Sequence, residues 1–131
     1  MLTRRTLALS LLAAPAAWLA PAAFAAQRLA YSPAAFDAAQ GAGKPILVVV
    51  HATWCPTCRA QAPILSQLES EPNYAGLVVF HVDFDAQKDA LKRFGVRLQS
   101  TLIAFKGRAE TGRSVGDTDP GSIAALFAKT L

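Results

Sequence analysis

Pro45-Ile46-Leu47-Val48-Val49-Val50-His51-Ala52-Thr53-Trp54-Cys55-Pro56-Thr57-Cys58 carries an unbroken apolar run directly into a pair of cysteines. Residues 45–50 are largely β-branched and show no polar alternation, the pattern of a central strand covered on both faces of a sheet. Beyond the second cysteine, Ala60, Ile64, Leu65 and Leu68 recur at helical spacing, which leaves Arg59, Gln61 and Gln67 for solvent. The cysteines therefore stand where a buried strand ends and a helix begins.

Cys55 and Cys58 are the only cysteines among 131 residues. Such a pair can be redox-active, half of a metal site or a stapling disulfide. Stapling is the weakest use, because so short a loop removes little chain entropy. A zinc site needs about four ligands, and His51 and His81 are the only other soft donors. The redox use has a direct mechanism: a sulfur at a helix start meets unpaired N–H groups and the positive end of the dipole, which favour a thiolate. On this reading Cys55, ahead of the first turn, is exposed and attacks a substrate disulfide. Cys58, one turn in, is shielded and resolves the mixed disulfide.

Working outward, residues 28–31 fit an edge strand, and Ser32-Pro33 caps a helix through residue 39 that Gly41 stops. A second apolar strand spans 77–84, and a helix spans 86–94 up to Gly95. A strand over 101–105 can pair with 109–115 through Lys106-Gly107-Arg108. Asp119-Pro120 opens a last helix whose Ile123, Leu126, Phe127 and Leu131 can face the sheet. This order describes an α/β sandwich around a mixed sheet.

The first residues differ from the rest. Arg4 and Arg5 precede residues 7–25, which carry no charge and only Ser10 as a polar side chain. Ala23-Phe24-Ala25 ends that run with small residues where a signal peptidase reads them, so residues 1–25 are expected to be a signal peptide and 26–131 one mature domain. Thr3-Arg4-Arg5-Thr6-Leu7 also resembles the start of a twin-arginine signal. An uncleaved anchor is the rival, but Pro15, Pro21 and the alanine-rich end favour cleavage. The expected location is periplasmic, with no membrane attachment after cleavage. Arg4 and Arg5 are two of the thirteen basic residues, so the mature part holds eleven against nine acidic ones, a net charge of +2. That balance gives no footprint for nucleic acid.

The segment His51-Ala52-Thr53-Trp54-Cys55-Pro56-Thr57-Cys58-Arg59-Ala60-Gln61-Ala62-Pro63-Ile64-Leu65 resembles the active-site strand and helix of the thioredoxin family. Trp54, Cys55, Cys58, Arg59 and Pro63 fit its pattern, and the similarity continues through Phe94-Gly95-Val96-Arg97 and the strand from Thr101 to Lys106. The resemblance implies a thioredoxin-like fold, a central mixed β-sheet flanked by helices. It also implies a thiol–disulfide oxidoreductase acting on protein thiols and disulfides, with a reversible Cys55–Cys58 disulfide and no other cofactor or metal. Trp54, Pro56, Thr57, Ser100 and Thr101 would surround the pair, with Trp54 beside the reactive sulfur and Pro63 bending the helix.

Two departures from the family stand out. Its buried aspartate, six residues before the first cysteine, is Val49 here, and the lysine on the neighbouring strand is His81. The changes agree with each other, since a lysine without the acid would be a buried unpaired charge whereas histidine can be neutral. His81, and after it His51, are candidate proton acceptors for Cys58. The second departure is Ser100, where the family places a cis-proline against the disulfide. A cis bond before serine costs about 3 kcal/mol, so a trans peptide is expected, and loss of the ring should open both sulfurs, to soft metals among others.

A small exported protein of this kind most resembles reductants fed by a membrane thiol carrier, and the chain has no room for the inserted helical domain of periplasmic oxidases. The alternatives are a periplasmic disulfide oxidase or isomerase, or a Cys/His module holding copper or zinc.

Overall fold

The structure, a computed structural model, describes residues 25–131, so the expected signal peptide lies outside it apart from Ala25. The elements are β1 (Gln27–Ala30), α1 (Pro33–Gly41), β2 (Pro45–His51), α2 (Pro56–Glu69), β3 (Val78–Asp83), α3 (Lys88–Phe94), β4 (Thr101–Lys106), β5 (Ala109–Val115) and α4 (Pro120–Ala128), with a 3-10 turn at Pro72–Tyr74. The five strands lie in the order β1-β3-β2-β4-β5. β1, β3 and β2 run parallel, and β4 pairs antiparallel with both β2 and β5.

The unbroken run in β2 is explained by its place at the centre of the sheet, with apolar side chains taken up on both faces. Ile46, Val48 and Val50 face α1 and α3, in a core with Phe36, Phe80, Phe94 and Phe105. Phe36 is at the hub, its ring centroid 5.1 Å from that of Phe94 and 5.5 Å from that of Phe80. Leu47 and Val49 point the other way, to Leu65 and Leu68 of α2 and to Ile123, Leu126 and Phe127 of α4. His51 and His81 continue this second alternation, which puts both imidazoles on the face that carries the cysteine helix.

Local chemistry sets the element ends. The Ser32 hydroxyl accepts the Ala35 N–H (3.2 Å) at the start of α1, and the Asp119 carboxylate accepts that of Ser122 (2.7 Å) at the start of α4. Helix α3 starts at Lys88, two residues later than the sequence implies, because the Asp83 carboxylate takes the N–H groups of Asp85 (2.8 Å) and Ala86 (2.9 Å) into a turn. Gly95, at φ 63°, closes α3 in the left-handed conformation.

Two sequence expectations fail. Leu131 does not face the sheet: α4 stops at Ala128, the apolar stripe is lost, and the side chain is exposed. On α2 the inner face consists of Gln61, Leu65, Leu68 and Glu69, whereas Ala60 is exposed. A glutamine thus occupies a place expected to be wet, and its partners belong to the active site.

Candidate active site

Cys55 is the N-cap of α2, with extended backbone (φ −84°, ψ 111°), and Pro56 follows as the first helical residue. Its Sγ accepts the backbone N–H of Cys58 at 3.1 Å. A sulfur thus does what a serine or aspartate oxygen does at an ordinary helix start, and the N–H supports negative charge on it. The helix runs on through Pro63, whose missing N–H leaves the Arg59 carbonyl without its helical donor.

The order of exposure is the reverse of that expected. Cys55 is fully buried, and Cys58 is the partly exposed cysteine. Position in a helix cap therefore does not decide access. Burial nonetheless pushes the Cys58 thiol above its ordinary value, and the neighbouring Cys55 adds to the rise.

The loop before β4 shows how serine replaces the expected proline. No cis peptide occurs among the described residues, so the bond before Ser100 is trans, and Ser100 takes φ 58°. It is the only non-glycine residue in the left-handed region among those described. Its N–H donates to the Val50 carbonyl (2.8 Å), and its own carbonyl accepts from the Gly116 N–H (3.0 Å) and from Gln61 Nε2 (3.2 Å). Gln61 Nε2 also donates to the Asp117 carbonyl (2.9 Å). Ser100 is itself buried, so its replacement of a ring does not open Cys55. Thr101, buried at the start of β4, donates its hydroxyl to the Leu98 carbonyl (2.7 Å), and Thr57 is half-buried between the cysteines.

Trp54 is held away from the core. Its Nε1 donates to the Asp85 carboxylate (2.8 Å), its ring meets Phe84 edge-on at 6.5 Å, and half of it remains exposed. The sequence reading missed Asp85 and Gln61. Asp85 gives no local signal, but Gln61 does, since 58, 61, 65 and 68 form one helical stripe with Cys58 at its head.

Val49 and His81 are direct partners in the parallel β2–β3 ladder, so the two departures from the family sit side by side. The rings of His51 and His81 meet edge-on at 5.3 Å. Together with Cys58 both line a cavity of about 290 Å³ between α2 and the sheet, with Arg28 and Arg59 also on its wall. Burial, reinforced by the charges of Arg28 and His51, lowers His81 to about 4, so its imidazole is neutral at ordinary pH. Among the described residues no group of three or more His, Cys, Asp or Glu side chains is arranged to hold a metal ion.

A mixed five-stranded sheet with a Cys-x-x-Cys pair at the start of its second helix defines a dithiol–disulfide exchange protein. The chain belongs to the thioredoxin family: the family model described as Thioredoxin matches residues 28–129. It is 37% identical over 84 residues to a thioredoxin of Chlamydia muridarum, covering 64% of this chain and 80% of that one. It is 38% identical over 76 residues to the protein disulfide-isomerase erp38 of Neurospora crassa, covering 56% of this chain but 21% of that longer protein. Among solved structures, Trxlp of Edwardsiella tarda superposes with a TM-score of 0.76 at 44% identity, covering 77% of this chain and 98% of that one. The protein is a thioredoxin-type thiol–disulfide oxidoreductase.

Proposed function

We propose that the protein is an exported protein-disulfide reductase, fed by a membrane thiol carrier, in which Cys55 attacks and Cys58 resolves. The observation that carries the assignment of roles is the Cys58 N–H donated to Cys55 Sγ. It supports charge on the Cys55 sulfur before attack. Cys58 is the contrasting group: its raised thiol keeps the proton until resolution, when a base must take it. His81 and, beside it, His51 are the candidate acceptors because both line the cavity that Cys58 lines, although burial makes His81 a weaker base than a free imidazole. Because Cys55 is covered, a protein substrate reaches it by displacing neighbouring loop residues.

Export is supported by the basic, then apolar, then Ala-Phe-Ala order of residues 1–25, and cleavage would release the domain to the periplasm. Residues 25–131 are taken up by the elements described, leaving no inserted helical domain among them.

The decisive experiment is the reduction potential of the pair, with insulin reduction as the activity. A potential near the thioredoxin end, about −270 mV, fits a reductase, whereas one near about −120 mV would make the protein an oxidase. With an insulin-derived disulfide, Cys58→Ser should trap a mixed disulfide on Cys55 and Cys55→Ser should trap little. Equal trapping would remove the assignment of roles.

A further inference from the structure

Gln61 lies three residues beyond Cys58 on α2, so the two side chains are neighbours on one face of the helix. Gln61 is fully buried, and its Nε2 donates to the carbonyls of Ser100 (3.2 Å) and Asp117 (2.9 Å), in the loops before β4 and before α4. Ser100 needs such holding, because a serine at φ 58° persists only where its surroundings over-determine it. Its N–H is fixed by the Val50 carbonyl, and its carbonyl by the Gly116 N–H and by Gln61. The same backbone acts on the redox pair. Burial and the neighbouring Cys55 raise the Cys58 thiol, but hydrogen bonds from the backbones of Ala52 and Ser100 pull it down. A proline at position 100 would have no N–H to contribute.

We propose that Gln61 is a positioning residue for the exchange reaction: its amide clamps the loop at Ser100 beside Cys58, and so sets how readily Cys58 resolves the mixed disulfide. The proposal rests on the reading above, in which Cys55 attacks and Cys58 resolves. In the resolving step the Cys58 thiol gives its proton to a base of the cavity and its sulfur bonds to the Cys55 sulfur. The bond from Cys55 to the substrate sulfur breaks, and the substrate leaves as a thiolate that takes up a proton; the protein dithiol has supplied both electrons. Only a Cys58 thiolate makes this attack, and the Ser100 backbone favours it while the loop stays where Gln61 holds it. Without the amide the bonds to Val50 and Gly116 remain, but the strained residue is freer to relax towards negative φ, which turns its backbone away from the sulfur. The other titratable groups around Cys58 are Cys55 on its own helix, His51 and His81 on the sheet, and the guanidiniums of Arg28 and Arg59. All of them stay in place when Gln61 is replaced.

The test follows Cys58 in the Cys55→Ser variant, by the rate of its alkylation with iodoacetamide across pH. Adding Gln61→Leu should move the midpoint of that profile to higher pH and slow the reaction below the midpoint about three- to tenfold, the range of one ordinary hydrogen bond. An unfolded chain would release Cys58 from burial and react faster, so misfolding cannot imitate this loss. Ser100→Gly separates clamping from a direct effect of the amide on the thiol, since glycine takes φ 58° without strain and needs no clamp. In that background Gln61→Leu should have much the smaller effect. With both cysteines present, Gln61→Leu should prolong the mixed disulfide that an insulin-derived disulfide forms on Cys55, by the same factor. An unchanged Cys58 profile, or an equal shift with and without Ser100→Gly, would overturn the proposal. Failure of Cys58→Ser to trap a mixed disulfide on Cys55 would instead strike the assignment of roles, which the alkylation profile does not measure.

Discussion

Gln61, on the helix that carries both cysteines, donates its side-chain amide to the Ser100 carbonyl 3.2 Å away and, with the same nitrogen, to the Asp117 carbonyl at 2.9 Å. One buried amide thus ties the redox helix to the loop before β4 and to the loop that leads into α4. Leucine at this position keeps the volume and removes the donor. The Ser100 carbonyl would retain the Gly116 N–H, while the Asp117 carbonyl would lose its amide donor. Gln61→Leu should lower stability by about 1–3 kcal/mol, the usual result of leaving a buried polar group unpaired. Urea denaturation checks this; an unchanged midpoint would show that the loops are held without the amide.

Ser100 stores strain at the same place. A non-glycine residue at positive φ costs about 1 kcal/mol, which its backbone bonds to Val50, Gly116 and Gln61 offset. Ser100→Gly should therefore be more stable than Ser100→Ala by about 1 kcal/mol. Ser100→Pro, although it restores the residue type of the family, should cost about 3 kcal/mol or more, since proline cannot take φ 58° and has no N–H for Val50. Denaturation midpoints of the three variants settle the order, and a proline variant as stable as the parent would mean that the loop has rebuilt itself.

What the sequence made legible, and what it hid, divides along local and long-range causes. The run 45–50 could be read as a doubly covered strand because its own side chains show it, and the Ser32-Pro33 and Asp119-Pro120 caps because each cap is made within four residues. The placement of the pair at a helix start is equally local. Gln61 was misread because polarity suggests solvent, whereas its partners lie 39 and 56 residues away in sequence. The exposure of Cys55 and Cys58 was inverted for a similar reason, since access to a cap depends on segments brought in from elsewhere. Trp54 was read from its place next to Cys55, but its anchor, Asp85, is on a connection that carries no pattern of its own.

His81 should give the protein a stability that falls in mild acid. Its folded value is about 4, below the ordinary 6.5. Between those values the unfolded chain binds a proton that the folded chain refuses, so this contribution is complete above pH 6.5 and is lost as pH falls towards 4. The loss should be about 1–2 kcal/mol, once the solvent that reaches this partly exposed ring is allowed for. Asp83 is held below its ordinary value by the Ala86 and Asp85 N–H groups, so its own contribution is lost at lower pH, outside this window. His81→Leu should flatten the dependence between pH 6.5 and 4. Thermal midpoints of both proteins across that range test it, and parallel curves would exclude His81 as the cause.

Processing after Ala25 should leave its own mark on stability. The Ala26 N–H donates to the Glu69 carbonyl at 2.9 Å, and Ala26 packs against the core shared by α2 and α4. Glu69 is nearly fully buried; Arg28 donates to its Oε2 at 2.9 Å, but Oε1 has no partner. Cleavage after Ala25 would turn the Ala26 amide into an ammonium with three donors, placed at a residue whose buried carboxylate has an unpaired oxygen. A chain that begins at Ala26 with a free amine should then be more stable than the same chain acetylated there, by about 1 kcal/mol. Acetylation keeps one N–H for the carbonyl and removes only the charge and the extra donors, so the comparison isolates the ammonium. The ordinary value of an α-amino group is about 8. The difference should therefore be full at pH 6 and vanish above about pH 9, as the amine loses its proton. Equal midpoints at pH 6 would show that the ammonium does not reach Glu69. Mass spectrometry of extracytoplasmic protein that found an uncut Met1 or Leu2 end would remove the cleavage itself.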